Sequence, residues 1–209
     1  MDRAAPAGNT ASGKPAAWDQ RIVGQSIATG TSASHASGAG SRVGSKTITA
    51  EVEVPEDGGN GIILAQGGRF GGWALYVKDG VVKYCHNYFD LEYSYVEASE
   101  KLPSGTVNVR YHFDYEGGGT GKGGVGKLYF DDKLVGEGKI TKTVPMIFSA
   151  DETLDLGGDL ALPVTDDYPV GEKNKFQGTV NWVRIDLEDD DHSHMIPDDQ
   201  VYKAMISRQ

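Results

Sequence analysis

Apolar and polar residues alternate with a period of two in the middle of the chain. In the segment 47–54 four apolar residues share one face and polar residues take the other, and segment 107–115 has the same pattern. The apolar face of the first segment comprises Ile48, Ala50, Val52 and Val54. Successive side chains of a β-strand point to opposite faces, so each segment predicts a strand with one buried face.

Shorter apolar runs between glycine-rich turns predict further strands. Asp79-Gly80 is a typical hairpin turn, and Asp131–Lys133 separates two apolar runs. The other predicted strands are 62–65, 73–77, 81–87, 127–130, 134–140 and 176–187, and the glycine-rich segment 67–72 is predicted to be a loop. Many short strands with almost no helical periodicity favour an all-β fold, a two-sheet antiparallel β-sandwich.

Composition changes at two points and so predicts three regions. Residues 1–45 are rich in Ala, Gly and Ser, which predicts a disordered or arm-like tail because little apolar surface is available to order it. Residues 46–188 form the predicted sandwich domain. Residues 189–209 start with an acidic run, after which Asp198 is a suitable N-cap for a short C-terminal helix.

The overall charge limits the classes of partner. The 209 residues carry a net charge of −10, which disfavours nucleic acid and anionic lipid surfaces. One cysteine excludes an internal disulfide. The N-terminus lacks the apolar run of a signal peptide, and no later stretch is apolar enough for a membrane helix. We therefore expect a soluble protein that binds no membrane and no nucleic acid, cytoplasmic by default.

Aromatic residues are concentrated in the segment 84–95, which also contains amide and carboxylate groups. This mixture is used for neutral sugars and for protein-interface hot spots, although packing in the core would explain the rings equally well. The candidate ligand-binding residues there are Asn87, Tyr88, Phe89, Asp90 and Tyr93, and Arg69 and Trp73 are expected neighbours.

Four acidic residues at short spacing form a candidate metal site: Asp151, Glu152, Asp155 and Asp159. Ca²⁺ takes six to eight oxygen ligands in flexible geometry, so a structural calcium ion would suit this loop. The simpler interpretation is that these residues cap turns or pair with Arg69 or lysines, and it is the one favoured here. No other cofactor is indicated.

Four motifs carry a family resemblance. They are Thr47–Pro55, Ala65–Trp73, Leu75–Gly80 and Phe148–Gly157. Together they resemble the C-terminal region of large bacterial arylsulfatases, a region downstream of the sulfatase catalytic domain. The hairpin with the turn Asp131–Lys133 and the following residues 134–138 is also similar to concanavalin-like and laminin-G-like jelly rolls, which implies an all-β sandwich of the concanavalin-like jelly-roll type. The resemblance implies the sandwich fold and a position beside a catalytic domain that this chain does not contain, and it brings no catalytic residue with it.

The residues argue against sulfatase chemistry in this chain. That chemistry needs a Cys or Ser in a Cys/Ser-x-Pro-x-Arg context, whereas the single cysteine, Cys85, is followed by His86-Asn87-Tyr88. Asp186 and Glu188 have the alternate spacing of a glycosidase pair, but they lie at the end of a predicted strand. No catalytic residue is therefore assigned.

Two kinds of function remain open. The first is a non-catalytic accessory module that binds a neutral glycan, docks on a sulfatase-like catalytic protein, or self-associates as a homo-oligomer. The alternatives are a carbohydrate-active enzyme on a jelly-roll scaffold, either a glycosidase or a lyase, and a remnant or excised part of a sulfatase.

Overall fold

The computed structural model describes residues 32–33, 44–117, 121–145, 154–160 and 162–187. The rest of the predicted tail and the predicted acidic linker and C-terminal helix at 189–209 lie outside the described residues, as do Asp151 and Glu152. None of the helices in the described part of the chain is long and apolar enough to cross a membrane.

The described residues form eleven β-strands and one short 3-10 helix, Gly171–Asn174. The strands are β1 (Ser32–Ala33), β2 (Lys46–Val54), β3 (Gly61–Gly68), β4 (Gly71–Lys78), β5 (Val81–Tyr88), β6 (Glu92–Lys101), β7 (Gly105–Tyr115), β8 (Gly124–Phe130), β9 (Lys133–Ile140), β10 (Leu154–Leu156) and β11 (Thr179–Leu187).

These strands make two antiparallel sheets. The six-stranded sheet has the order β1-β10-β3-β4-β5-β6, and the five-stranded sheet has the order β11-β2-β7-β8-β9. The chain crosses between the sheets after β1, β2, β6, β9 and β10. The prediction of a two-sheet antiparallel sandwich of the jelly-roll type is confirmed. A short part of the predicted tail, Ser32–Ala33, adds a strand beside β10.

The main core lies between the two sheets. The inward face of β2 is the predicted one: Ile48, Ala50 and Val52 are fully buried. In the middle of the core, the ring of Tyr84 stacks on that of Tyr111 with centroids 3.6 Å apart and lies 6.0 Å from that of Trp73. These rings join the two sheets because Tyr84 and Trp73 belong to the six-stranded sheet and Tyr111 to β7.

A second, smaller core covers the outer face of the six-stranded sheet. The covering segment, residues 162–176, places Val164 and Tyr168 against the outward side chains of β3, β4 and β5. Asp167 fixes this segment by accepting hydrogen bonds from Tyr76 (2.6 Å), Lys78 (2.5 Å) and Lys83 (3.3 Å). The sheet is therefore buried on both faces here, and β4 is buried from Gly71 to Val77.

The glycine-rich segment 67–72, predicted to be a loop, is mostly strand. Gly67 pairs with Gly72 and Gly68 with Gly71, so the hairpin turns only at Arg69 and Phe70. Gly72 is required by close packing, since a Cβ there would lie 2.4 Å from the carbonyl oxygen of Gln66. Because glycine allows two backbones to approach this closely, the glycine-rich segment can pair as strands instead of forming the predicted loop.

The strands β6 and β9 end their sheets on the same side of the sandwich. An ion pair connects them, with 2.6 Å between the Lys133 ammonium and a Glu100 carboxylate oxygen. β6 was missed by the sequence analysis, which treated its aromatic residues as part of a single ligand-binding segment.

Candidate functional site

Most of the sequence-predicted ligand residues lie at one end of the sandwich. Two turns meet there, the β3–β4 turn at Arg69 and Phe70 and the β5–β6 turn at Phe89 and Asp90. We call the exposed surface made by these turns and their flanking residues the aromatic loop surface. Its members are Arg69, Phe70, Tyr88, Phe89, Asp90, Leu91 and Tyr93.

The β5–β6 turn has an unusual backbone for its sequence. The Leu91 amide donates to the Tyr88 carbonyl oxygen (3.0 Å), and the two central residues, Phe89 and Asp90, have φ angles of 57° and 61°. Positive φ at both central residues defines a type I′ hairpin turn, which Asn, Asp and Gly favour. A bulky aromatic residue is strained there. The turn therefore holds the Phe89 ring out at its tip, 38% exposed.

An ion pair joins the two turns. The Arg69 guanidinium donates from Nε to Asp90 Oδ2 (3.1 Å), and Nη1 lies 3.5 Å from Asp166 on the covering segment. The Tyr93 hydroxyl donates to the other Asp90 oxygen. The Tyr93 hydrogen bond and the Arg69 guanidinium lower the pKa of Asp90, and Asp90 raises the pKa of Arg69. Asp90 is therefore held as the carboxylate, and its ion pair with Arg69 holds the two turns together.

Asn87 has a supporting position, which corrects its predicted role as a ligand contact. Its side chain is fully buried, and Nδ2 donates to the carbonyl oxygens of Gly68 (3.2 Å), Arg69 (2.9 Å) and Val164 (2.8 Å). Its Oδ1 accepts from the Asp90 amide (2.7 Å). The amide group therefore organises both turns and the covering segment, and no surface is left for a ligand.

Trp73 is placed away from the surface, which corrects its predicted place beside the ligand. The side chain is 0% exposed, its ring faces the other sheet, and Nε1 donates to Gln66 (3.1 Å). Its strand is buried on both faces, so alternation alone did not indicate which side is core. Tyr84, from the same aromatic segment, is also core.

The structure adds two residues that the sequence analysis missed. Phe70 is 66% exposed and Leu91 is 80% exposed, the largest exposures among the big apolar side chains of the described residues. Each follows a charged residue at the tip of a turn, in Arg69-Phe70 and Asp90-Leu91. A large apolar residue directly after a charged one was the available signal.

Tyr93 and Tyr95 make a second feature beside the loops. Both point to the outer face of β6, and their rings are nearly parallel with centroids 6.5 Å apart. The Tyr95 side chain is 37% exposed, and its hydroxyl lies 2.8 Å from that of Thr165. The rings present a flat, partly exposed surface with a fixed orientation.

The candidate calcium residues are described only in part. Asp159 is 2% exposed and accepts a hydrogen bond from the Tyr168 hydroxyl (2.6 Å), and Asp155 is in β10 opposite Ala65. Within the described ranges no group of three or more His, Cys, Asp or Glu side chains is placed to hold a metal ion. Asp151 and Glu152 lie outside those ranges, so calcium binding stays a prediction.

Cys85, the one cysteine, is in the second core beneath the covering segment. Burial raises the pKa of its thiol to about 12. At neutral pH the side chain is a buried thiol, and a thiol is a weak nucleophile compared with a thiolate.

No protein-family model matches the sequence, and a search of curated proteins finds no significant match. Several solved structures are distantly similar. A Ruminococcus gnavus IT-sialidase CBM40 bound to α2,3-sialyllactose is 16% identical over 72% of this chain and 80% of its own, with a TM-score of 0.48. A heptameric SAP-like pentraxin from Limulus polyphemus is 15% identical over 68% and 64%, with a TM-score of 0.44. The botulinum neurotoxin type G receptor binding domain is 12% identical over 78% and 38%, with a TM-score of 0.45. Similarities this distant assign neither a family nor a ligand to the chain.

Proposed function

We propose that this chain is a non-catalytic accessory module that docks on a sulfatase-like catalytic protein through the aromatic loop surface. The observation that carries the proposal is the exposure of three large apolar side chains, Phe70, Phe89 and Leu91, at one end of the sandwich. Clustered apolar groups rimmed by charge are typical of protein-interaction sites. The motif resemblance to the arylsulfatase C-terminal region supports the choice of partner.

The geometry of the surface favours a protein partner over a sugar. Phe70 and Leu91 have no polar atom in their side chains for the hydroxyl groups of a sugar, whereas they can fill apolar pockets on a protein. The Arg69–Asp90 ion pair and the Asn87 hydrogen bonds fix the turns before binding. A preorganised surface loses less conformational entropy on association, which favours affinity.

Neutral-glycan binding is the second candidate, and the Tyr93–Tyr95 pair is the observation that favours it. Flat aromatic faces with partly exposed edges suit stacking on sugar rings. A neutral glycan bound there would leave the exposed tips of Phe70 and Leu91 unused. The two candidates therefore differ in which substitutions weaken binding.

The docking proposal is tested with the catalytic domain of a large bacterial arylsulfatase expressed without its own C-terminal region. We expect the full chain to bind it in isothermal titration calorimetry. Phe70→Ser and Leu91→Ser should each weaken binding by about tenfold or more, as hot-spot residues do, with unchanged denaturant midpoints.

The matched control is Leu134→Ser, because Leu134 is a half-exposed apolar residue on β9 away from the loops. Its affinity should equal that of the unaltered chain. No binding by the unaltered chain, or equal losses in all three variants, would refute the docking proposal. A dimer mass in light scattering that Phe70→Ser abolishes would instead assign the surface to self-association.

A further inference from the structure

The outer face of the five-stranded sheet carries polar, charged and aromatic side chains. The pleat and register put them in rows across the sheet. One row contains Arg184, Thr49, Arg110 and Tyr129, and the row beside it contains Asp186, Thr47, His112 and Lys127. Trp182 lies on the same face, one row further along β11. This face is separate from the aromatic loop surface, so a ligand site on it is independent of the docking proposal.

Most charges on this face are paired with a neighbour. Arg184 binds Asp186 at 2.7 Å, and Asp114 accepts from Lys127 (2.7 Å) and contacts His112 (2.7 Å). Glu51, next to Trp182, accepts from the Asn181 amide (3.1 Å). These pairs satisfy one another and leave little charge for a ligand.

Arg110 is the exception. It lies on β7, the middle strand of the sheet, and within the described residues it has neither a carboxylate partner nor a side-chain hydrogen bond. Its guanidinium carbon lies 4.3 Å from the centroid of the Tyr129 ring, and its Nε is buried without an acceptor. Buried polar groups in proteins are almost always hydrogen-bonded, so an orphaned donor points to a missing partner.

The chemistry of Arg110 identifies the class of that partner. A guanidinium has several donors in a rigid planar fork that matches a carboxylate, and stacking on an aromatic ring holds the fork in one orientation. Tyr129 fixes the guanidinium in this way. A carboxylate that approached from solvent would meet the outer nitrogens of this preoriented guanidinium, which no acid among the described residues occupies.

The surroundings of Arg110 favour a sugar acid as the source of the carboxylate. Thr49 is the neighbouring residue on β2, and Trp182 lies two strands away and two residues further along, about 12 Å from Arg110 at normal strand geometry. A hydroxyl group and an aromatic face at that separation suit an acidic saccharide of two or three units. The net charge of −10 disfavours long polyanions, whereas a short oligouronate that seats one carboxylate at Arg110 and leaves its other carboxylates in solvent is compatible with it.

We infer that the outer face of the five-stranded sheet is a binding site for an acidic saccharide, with Arg110 as the receptor for the carboxylate of a uronic acid unit. Tyr129 positions the guanidinium, and Thr49 and Trp182 contact the neighbouring sugar. The occupant is thus a short oligosaccharide that contains uronic acid, lying across β8, β7, β2 and β11.

The test is a titration of the full chain with trigalacturonate, with maltotriose as the uncharged control of equal length. We expect trigalacturonate to bind and maltotriose to bind at least tenfold more weakly. Arg110→Gln should reduce affinity for trigalacturonate by tenfold or more. Arg69→Gln, the matched control, should change it less than threefold because it removes the same guanidinium group at a separate surface, where Arg69 is paired with Asp90.

A spectroscopic reading on the unaltered chain keeps the test independent of whether a variant folds. The Nε–H resonance of Arg110 in ¹H–¹⁵N spectra should shift on addition of trigalacturonate and stay in place with maltotriose. Absence of binding at millimolar trigalacturonate, an unmoved Arg110 resonance, or equal affinity for both trisaccharides would overturn the inference. Retained affinity in folded Arg110→Gln would do the same.

Discussion

Among single residues, Lys46 is in the least expected environment. It is the first residue of β2 and faces the core, 6% exposed, with its ammonium 4.7 Å from the centroid of the Trp73 ring. Burial lowers the pKa of Lys46 to about 7. Burial, and then the nearby Lys46, lower the pKa of His86 to about 3. Two basic groups thus share one end of the core, and His86 is neutral at physiological pH.

Lys46 makes stability depend on pH, and the sign follows from its depressed pKa. Between pH 7 and about 10 the unfolded chain binds a proton on Lys46 that the folded chain has released, so unfolding becomes less favourable as pH rises. We expect urea midpoints to rise from pH 7 to pH 9. Lys46→Met should be more stable at pH 7 and lack most of this increase.

The difference between the pH profiles of the urea midpoints of the two proteins isolates the effect of Lys46 from that of every other titrating group. If the unaltered chain and Lys46→Met show parallel pH profiles, Lys46 does not titrate in this window and its assignment as a buried base is wrong. From about pH 8.5 the Cys85 thiol ionises in the unfolded chain but not in the folded one, which lowers the stability of both proteins and cancels in their comparison. Measurements stop below pH 10, where tyrosines begin to ionise in the unfolded chain as well.

The residues of the candidate site show why sequence alone located it only in part. Phe89 and Asp90 were proposed from the aromatic-rich segment 84–95, and Arg69 was proposed as a neighbour from the glycine-rich segment. The structure places all three at the two turns. Trp73 and Asn87 were misplaced because their strands are covered on both faces by residues remote in sequence. Arg110 was predicted to be on a polar face of β7, but its stacking on Tyr129 depends on the cross-strand register, which alternation does not give.

At the scale of elements, the β5–β6 turn stores backbone strain to present an aromatic ring. Another Asp-containing hairpin, at Asp79-Gly80, has φ angles of 53° and 77° and the residue types that such turns favour. Its turn was predicted for that reason. The β5–β6 turn was not, because Phe is rarely found at positive φ, and so the start of β6 was missed.

The backbone strain at Phe89 should reverse the usual order of stability, in which an alanine variant is more stable than a glycine variant. Both Phe89→Ala and Phe89→Gly remove the ring, but only glycine adopts a φ of 57° without a steric penalty. We expect Phe89→Gly to be more stable than Phe89→Ala by about 1 kcal/mol in urea denaturation.

The matched control is the exposed residue Glu97 on β6. There the backbone is extended, so Glu97→Gly should be less stable than Glu97→Ala by about 0.5–1 kcal/mol. If the alanine variant is more stable than the glycine variant at both positions, the Phe89 backbone is not strained.

At the scale of the whole molecule, the sandwich followed from sequence but the covering segment did not. Period-two patterns in β2 and β7 and the turn residues between hairpins define strands locally. The segment 162–176 has no such pattern, and it is placed by contacts with β3, β4 and β5 far away in the chain. The second core, which buries Cys85, could therefore not be predicted from local sequence patterns.

Asp167 should be the residue that holds the covering segment to the sheet. Burial alone would raise the pKa of Asp167, but the hydrogen bonds from Lys78, Tyr76 and Lys83 lower it overall. Because the pKa of Asp167 is lower in the folded chain than in the unfolded chain, its carboxylate stabilises the fold at pH values above the unfolded pKa of about 4. This stabilisation is lost as pH falls through the pKa of the folded chain. We expect Asp167→Asn to lose about 2 kcal/mol at pH 7 in urea denaturation, less than a fully buried pair would lose.

The adjacent Asp166→Asn is the control, since its side chain is 79% exposed and should change stability by no more than about 0.5 kcal/mol. The loss in Asp167→Asn should shrink when both chains are compared below pH 4. Equal stabilities of the two variants at pH 7 would show that the covering segment is held by its apolar contacts instead.

The side of the sandwich where β6 and β9 meet has a consequence for behaviour at high concentration. A strand at the end of a sheet offers free backbone groups to which a strand of another molecule can add, and charged side chains are a known defence. β9 carries Lys133, Glu137 and Lys139 along its exposed positions, and β6 carries Glu97 and Glu100. A neighbouring chain that paired here would have to displace the Lys133–Glu100 bridge and strip water from unpaired charges. The charged side chains on these two strands thus oppose edge-to-edge polymerisation.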